Sequence, residues 1–85
     1  MIWVVKLKVR EWSGAHDSVP ASVVGIARTV EEANELIEQD VKSEHLYHSN
    51  LKRLPGISTS YKYIKHHEHS DEQVILHYVK INMQF

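Results

Sequence analysis

Val23-Val24-Gly25-Ile26-Ala27-Arg28-Thr29-Val30-Glu31-Glu32-Ala33-Asn34-Glu35-Leu36-Ile37 decides the fold class. The first six residues read as the end of a short apolar strand, and the remainder as the start of a helix. Thr29 is the expected N-cap. Its hydroxyl can accept the N–H of Glu32, and the Glu32 carboxylate can reach back to the N–H of Thr29. The helix should run from Val30 to about Leu46. Val30, Ala33, Ile37 and Val41, with Leu36, form an apolar stripe of i, i+3, i+4 spacing. Glu31 and Glu32 suit the positive end of the helix dipole.

Upstream, residues 22–28 form a strand, and Gly25 inside it marks a bulge or a close backbone approach. Ser13 to Pro20 reads as a loop, since Gly14, Asp17 and Ser18 supply turn geometry and Pro20 biases Val19 away from helix. Residues 2–12 form the clearest strand. Trp3, Val5, Leu7 and Val9 fall on one face, which the pattern marks as dry. Val4, Lys6, Lys8, Arg10 and Trp12 fall on the other, which it marks as wet. The connection between these two strands is too short for a crossover helix, so they pair antiparallel.

Downstream, residues 47–56 carry no clear period. Leu51 and Leu54 suggest a short turn over one end of the core, and Pro55-Gly56 stops any helix. Residues 58–69 and 73–83 read as two strands joined by a tight turn at Ser70-Asp71. That turn places Tyr61, Tyr63, Lys65 and His67 on one face with Val74, Leu76, Tyr78 and Lys80. Ile64 and His66 share the other with Ile75, His77, Val79 and Ile81. Both faces are half apolar, which has two readings: the helix covers one face and a second subunit the other, or the hairpin projects past the core; the near-continuous apolar runs favour the first. The order is β-β-α-β-β. The most economical architecture is α+β, a four-stranded, mainly antiparallel sheet with one helix on one face.

The joint Gly25-Ile26-Ala27-Arg28-Thr29-Val30-Glu31-Glu32-Ala33 resembles one in small, uncharacterised bacterial and phage α+β proteins. They place a G-I-x-x-T-x-E-E-A segment between strand and helix. The resemblance implies a related fold and carries over no activity, cofactor or site residue.

Eighty-five residues make one domain, 1–85, with room for one thin core. There is no cysteine, which removes disulfides and thiolate chemistry and fits a reducing cytoplasm. No run approaches the ~20 apolar residues of a membrane helix, and the first residues lack the pattern of a signal peptide. No cofactor motif is legible. Ten basic and eleven acidic residues nearly cancel but are unevenly placed. Glu31, Glu32, Glu35, Glu38, Asp40 and Glu44 load the helix, while Lys52, Arg53, Lys62 and Lys65 follow it without an acid between them. An acidic helix laid against a basic sheet accounts for this.

Three readings of function follow. The first is a small non-catalytic structural or interaction domain that self-associates through its sheet, as a homodimer. Trp12, Tyr61, Tyr63, Tyr78, Ile75 and Val79 are its candidate interface residues, with Phe85 also available, because aromatics bury large area at little rotamer cost. The second is single-stranded nucleic-acid binding by Lys6, Lys8, Arg10, Trp12 and Lys65, where rings stack bases and cations neutralise phosphates. No RNP-type signature accompanies that row, and the polar side of a sheet explains it equally well. The third is metal-assisted or histidine-based catalysis. His67 and His69 form a His-x-His pair able to bind zinc or nickel, and a histidine-rich hairpin tip is the plainer account. His16-Asp17 has the parts of a general base and its orienting acid, but only Ser13 or Ser18 stands near as a nucleophile.

Overall fold

The computed structural model describes residues 1–12, 14–56 and 58–83. The elements in chain order are β1 (Ile2–Trp12), β2 (Ala15–Ala27), α1 (Val30–Tyr47), β3 (Lys52–Arg53), β4 (Thr59–His66) and β5 (Asp71–Asn82). The sheet has five strands, not four, in the order β2-β1-β5-β4-β3, and every pairing is antiparallel. The unforeseen strand is β3, where Lys52 faces Lys62 and Arg53 faces Tyr61. Two cationic residues carry no strand pattern of their own, so tertiary pairing alone makes this element.

The β1–β2 ribbon is also longer than expected. Gly14, at φ +74°, turns the chain, and Ala15 to Val19 pair with β1 instead of forming a loop. Pro20 is tolerated because β2 is an edge strand and the register shifts between Lys6 and Lys8, opposite the proline. A second shift lies between Val4 and Val5. Gly25 is the close approach to the helix: a Cβ there would lie 2.9 Å from Leu36 Cδ1.

Thr29 caps α1, its Oγ1 accepting the Glu32 N–H at 3.1 Å. The return bond differs by one residue, because Glu32 Oε2 accepts from the Arg28 N–H at 2.9 Å rather than from Thr29. Ala33 and Ile37 are buried, Leu36 and Val41 pack beside them, and Val30 stays exposed. Since β2 lies at one edge and β3 at the other, α1 must cross the whole sheet between them.

The helix covers the face opposite to the one expected. Val4 is fully buried while Leu7 is 38% exposed. The core under the helix is Val4, Ala27, Tyr63, Val74, Leu76 and Tyr78, closed by Ala33, Ile37 and Leu51. Lys6, Lys8 and Arg10 share Val4's side of β1, so the row read as wet faces the helix. Lys6 can lie there because α1 brings its own acids: Nζ stands 2.9 Å from Asp40 and 2.5 Å from Glu44.

The β4–β5 turn is also displaced. His66 pairs with Asp71, and the four residues 67–70 form the loop, closed by the His67 N–H donating to the Ser70 carbonyl at 2.9 Å. An even offset keeps side chains on the expected sides, so Tyr61 and Tyr63 still share a face with Val74, Leu76 and Tyr78.

Candidate interaction surface

Among the described residues no element covers the side of the sheet away from α1. The strand registers order its side chains in rows across β2, β1, β5 and β4. Ile26, Trp3 and Ile81 form one row, then Val23, Val5 and Val79, then Leu7, His77 and Ser60. Ser18, Val9, Ile75 and Lys62 follow, and His16, Glu11, Gln73 and Ile64 close the series. Leu7, Val23, Ile26, Val79 and Ile81 are exposed, and Trp3, Val5, Val9, Ile64 and Ile75 are half-buried. Polar residues gather towards one end and the β4 side, and His77 with Ser60 interrupts the middle row. Gln73 Nε2 reaches Glu11 Oε2 at 3.5 Å, and Lys62 stands on the β4 side.

Both edges of this sheet are closed to strand addition by local devices. β2 carries Pro20 and two register shifts. On the other side, β3 is only two residues long, but the Asn50 side chain extends it. Asn50 Nδ2 donates to the Ile64 carbonyl at 3.0 Å, and Asn50 Oδ1 accepts the Ile64 N–H at 2.9 Å.

No family model, curated protein or solved structure matches this chain. No functional family is recognised, and the likeness at the strand-to-helix joint assigns no role.

The six candidate interface residues divide between the two sides. Ile75 and Val79 lie on the open face. Tyr63 and Tyr78 are buried on the helix side, and Tyr61 packs edge-on against Tyr78, ring centroids 6.0 Å apart. Trp12 is on the helix side too, exposed near the end of β1. Ser13 and Phe85 lie outside the described residues. The residues that sequence reasoning passed over are Trp3, Val5, Leu7 and Val9, because their apolar face was assigned to the core. The signal that could have found them is the near-continuous apolar run from Val74 to Val79, which leaves greasy side chains on both faces.

The cationic row is partly committed. Lys6 is taken up by Asp40 and Glu44, and Arg10 gives Nη2 to Asp17 at 2.9 Å. Desolvation pulls the Lys6 pKa down, but hydrogen bonds with Glu44 and Asp40 outweigh it and leave it above the usual lysine value. Lys8 is half-buried and Lys65 exposed. The Tyr78 hydroxyl donates to Asp40 at 2.5 Å. Burial, then that bond, holds the phenol well above the ordinary tyrosine range. Tyr63 is stacked under His48, centroids 3.7 Å apart, and burial with the nearby Glu44 and Glu72 pushes its pKa up to about 12.

The histidines do not converge. His67 and His69 sit in the loop after β4, not in a strand, and turn to different carboxylates: His67 Nε2 lies 3.6 Å from Glu72 and His69 Nε2 3.9 Å from Glu68. Among the described residues no three His, Asp or Glu are placed to hold a metal ion. Asp17 serves Arg10, and His16 faces Glu11 on the opposite side of the ribbon. Among the described residues the one close Ser–His contact is Ser60 Oγ to His77 Nδ1 at 2.6 Å. Ser60 is buried, so this pair does not present a hydroxyl to a substrate. Among the described residues no helix is long and apolar enough to cross a membrane.

Proposed function

We propose that this chain is a non-catalytic interaction domain that pairs with a second copy through the open face of its sheet. The observation that carries this reading is the block of Trp3, Val5, Leu7, Val9, Ile75, Val79 and Ile81, in register on two adjacent strands and uncovered by any element of the described residues. Contiguous apolar surface of this kind marks an interaction site.

Size supports it. For strands of eleven residues such as β1, a rise of ~3.3 Å per residue and a spacing of ~4.8 Å give four strands a footprint on the order of 700 Å², close to the ~800 Å² that each partner contributes to a stable interface. Shape supports it as well. With the edges closed by Pro20, the bulges and Asn50, two copies meet face to face as stacked sheets rather than by strand addition. A two-fold axis lets the same patch serve both partners. Apolar residues make up most of the patch, with His77 a polar residue within it.

Sedimentation velocity over a range of concentrations tests this. A dimer is expected, with Leu7→Glu and Val79→Glu weakening it at least about a hundredfold, as central interface residues do. Both side chains are exposed in the single copy, so the variants should keep the native circular dichroism. A particle that stays single at high concentration would overturn the reading.

A further inference from the structure

At the Trp12 end of β1, the helix side of the sheet holds a cavity with no residue of α1 among those that line it. It is open, measures about 360 Å³ and is lined by Arg10, Trp12, His67, Ser70 and Glu72. Two of these residues are charged, Arg10 and Glu72. Glu72 is 7% exposed, yet among the described residues its carboxylate accepts no hydrogen bond and its ion-pair contact is the His67 ring at 3.6 Å. Arg10 serves Asp17 through Nη2, while its Nε is buried without an acceptor. In Arg10's row, two strands away, the buried Tyr63 hydroxyl is also without a partner. Native proteins leave few buried polar groups unpaired, and each such group asks for a cause.

The missing partners are complementary in kind. Among the described residues Glu72 has no hydrogen-bond donor, and the Nε of Arg10 has no acceptor. Arg10 stands opposite Val74, which makes Glu72 its diagonal neighbour, at a Cβ separation of roughly 7–8 Å for such pairs. An ammonium and a carboxylate borne on one carbon fit between two such side chains. A simple cation would leave Arg10 unsatisfied and meet its charge. A simple anion would do the same at Glu72. The exposed Trp12 ring supplies an apolar wall beside them, and convergent polar groups against an aromatic wall are the ordinary makeup of a small-ligand site.

We propose that this cavity binds a free α-amino acid with an apolar side chain. The ammonium donates to Glu72, the carboxylate accepts from Arg10, and the side chain lies against Trp12. The site is on the helix side of the sheet, so it is independent of pairing through the open face.

Titration followed by 15N–1H NMR tests it, using L-leucine, L-leucinamide and N-acetyl-L-leucine as probes. The amide keeps only the positive charge and the acetylated form only the negative one. L-leucine should produce saturable shifts at the Trp12 indole and at the Ser70 and Glu72 amides. Removing either charge should weaken binding at least tenfold, and Glu72→Gln should weaken L-leucine binding to the same degree. The probe series on the unaltered protein decides the question by itself, whatever the folding of that variant. No saturable shift with L-leucine at tens of millimolar would leave water as the partner of these groups and overturn the proposal. Equal responses to all three probes would overturn it too.

Discussion

The Asn50 side chain pairs with both backbone groups of Ile64, donating to its carbonyl at 3.0 Å and accepting its N–H at 2.9 Å. An amide side chain thus does the work of one more residue of β3. It satisfies β4 just where its neighbouring strand has run out. Asn50→Ala should cost about 1–2 kcal/mol, the usual value of exposed-to-intermediate hydrogen bonds lost in pairs. It should also raise aggregation, because it uncovers a strand edge. Urea unfolding checks the first effect, and faster hydrogen exchange at the Ile64 amide checks its location.

Ile37 and Val30 belong to the same apolar stripe but face different fates. Ile37 is in the core and Val30 is exposed. Ile37→Asp leaves a cavity and a buried charge, and should cost upwards of about 3 kcal/mol. Val30→Asp should stay within about 0.5 kcal/mol, as surface changes do, and its position in the first turn favours an acid. Equal losses in the two variants would mean that the helix is seated on a different face.

Lys6 holds Asp40 and Glu44 together over the sheet, with its side chain only 14% exposed. Lys6→Ala leaves two half-buried carboxylates side by side and should destabilise by about 2–4 kcal/mol, near the range for breaking one partner out of a buried pair. Adding Asp40→Asn and Glu44→Gln to Lys6→Met should restore much of that loss. Thermal unfolding of the single and triple variants makes the comparison.

Tyr63 and Tyr78 set an alkaline limit on stability. Unfolded, their phenols ionise near pH 10. Folded, Tyr63 is pushed to about 12 and Tyr78 higher still. Above about pH 10 the unfolded chain therefore binds fewer protons than the native one, and stability falls as pH rises. Below that value both phenols are neutral in both states and their contribution is full. The urea midpoint should hold level through mild alkali and then drop, with a shallower drop in Tyr63→Phe.

Local signals in the sequence were sufficient for the helix, its Thr29 cap, the closing hairpin and the α+β class. They failed where another element supplied the reason. A period of two says that β1 has two unlike faces, but not which of them the helix covers. The row holding Lys6 looked wet because its counter-charges, Asp40 and Glu44, lie more than thirty residues away in the chain. β3 had no pattern to find, since pairing with Lys62 and Tyr61 creates it. Pro20 suggested a loop because nothing local reveals that its strand will sit at an edge. For the surface, the sequence showed that the hairpin has apolar residues on both sides. It did not show that Trp3, Val5, Leu7 and Val9 enlarge the unoccupied one. The cavity beside Glu72 was invisible for the same cause: its walls come from two strands and a loop distant in sequence.

β1 sits between β2, its immediate successor, and β5, the last strand. Its second neighbour therefore follows only after β2, α1, β3 and β4 in the chain. A nascent chain can form the first ribbon and the helix early, but the central strand stays half-bonded until β5 leaves the ribosome. Contacts of such long sequence separation slow folding, and an incomplete sheet is prone to capture by other chains. Folding of this domain should therefore be sensitive to translation speed and to chaperone supply well beyond what its 85 residues suggest.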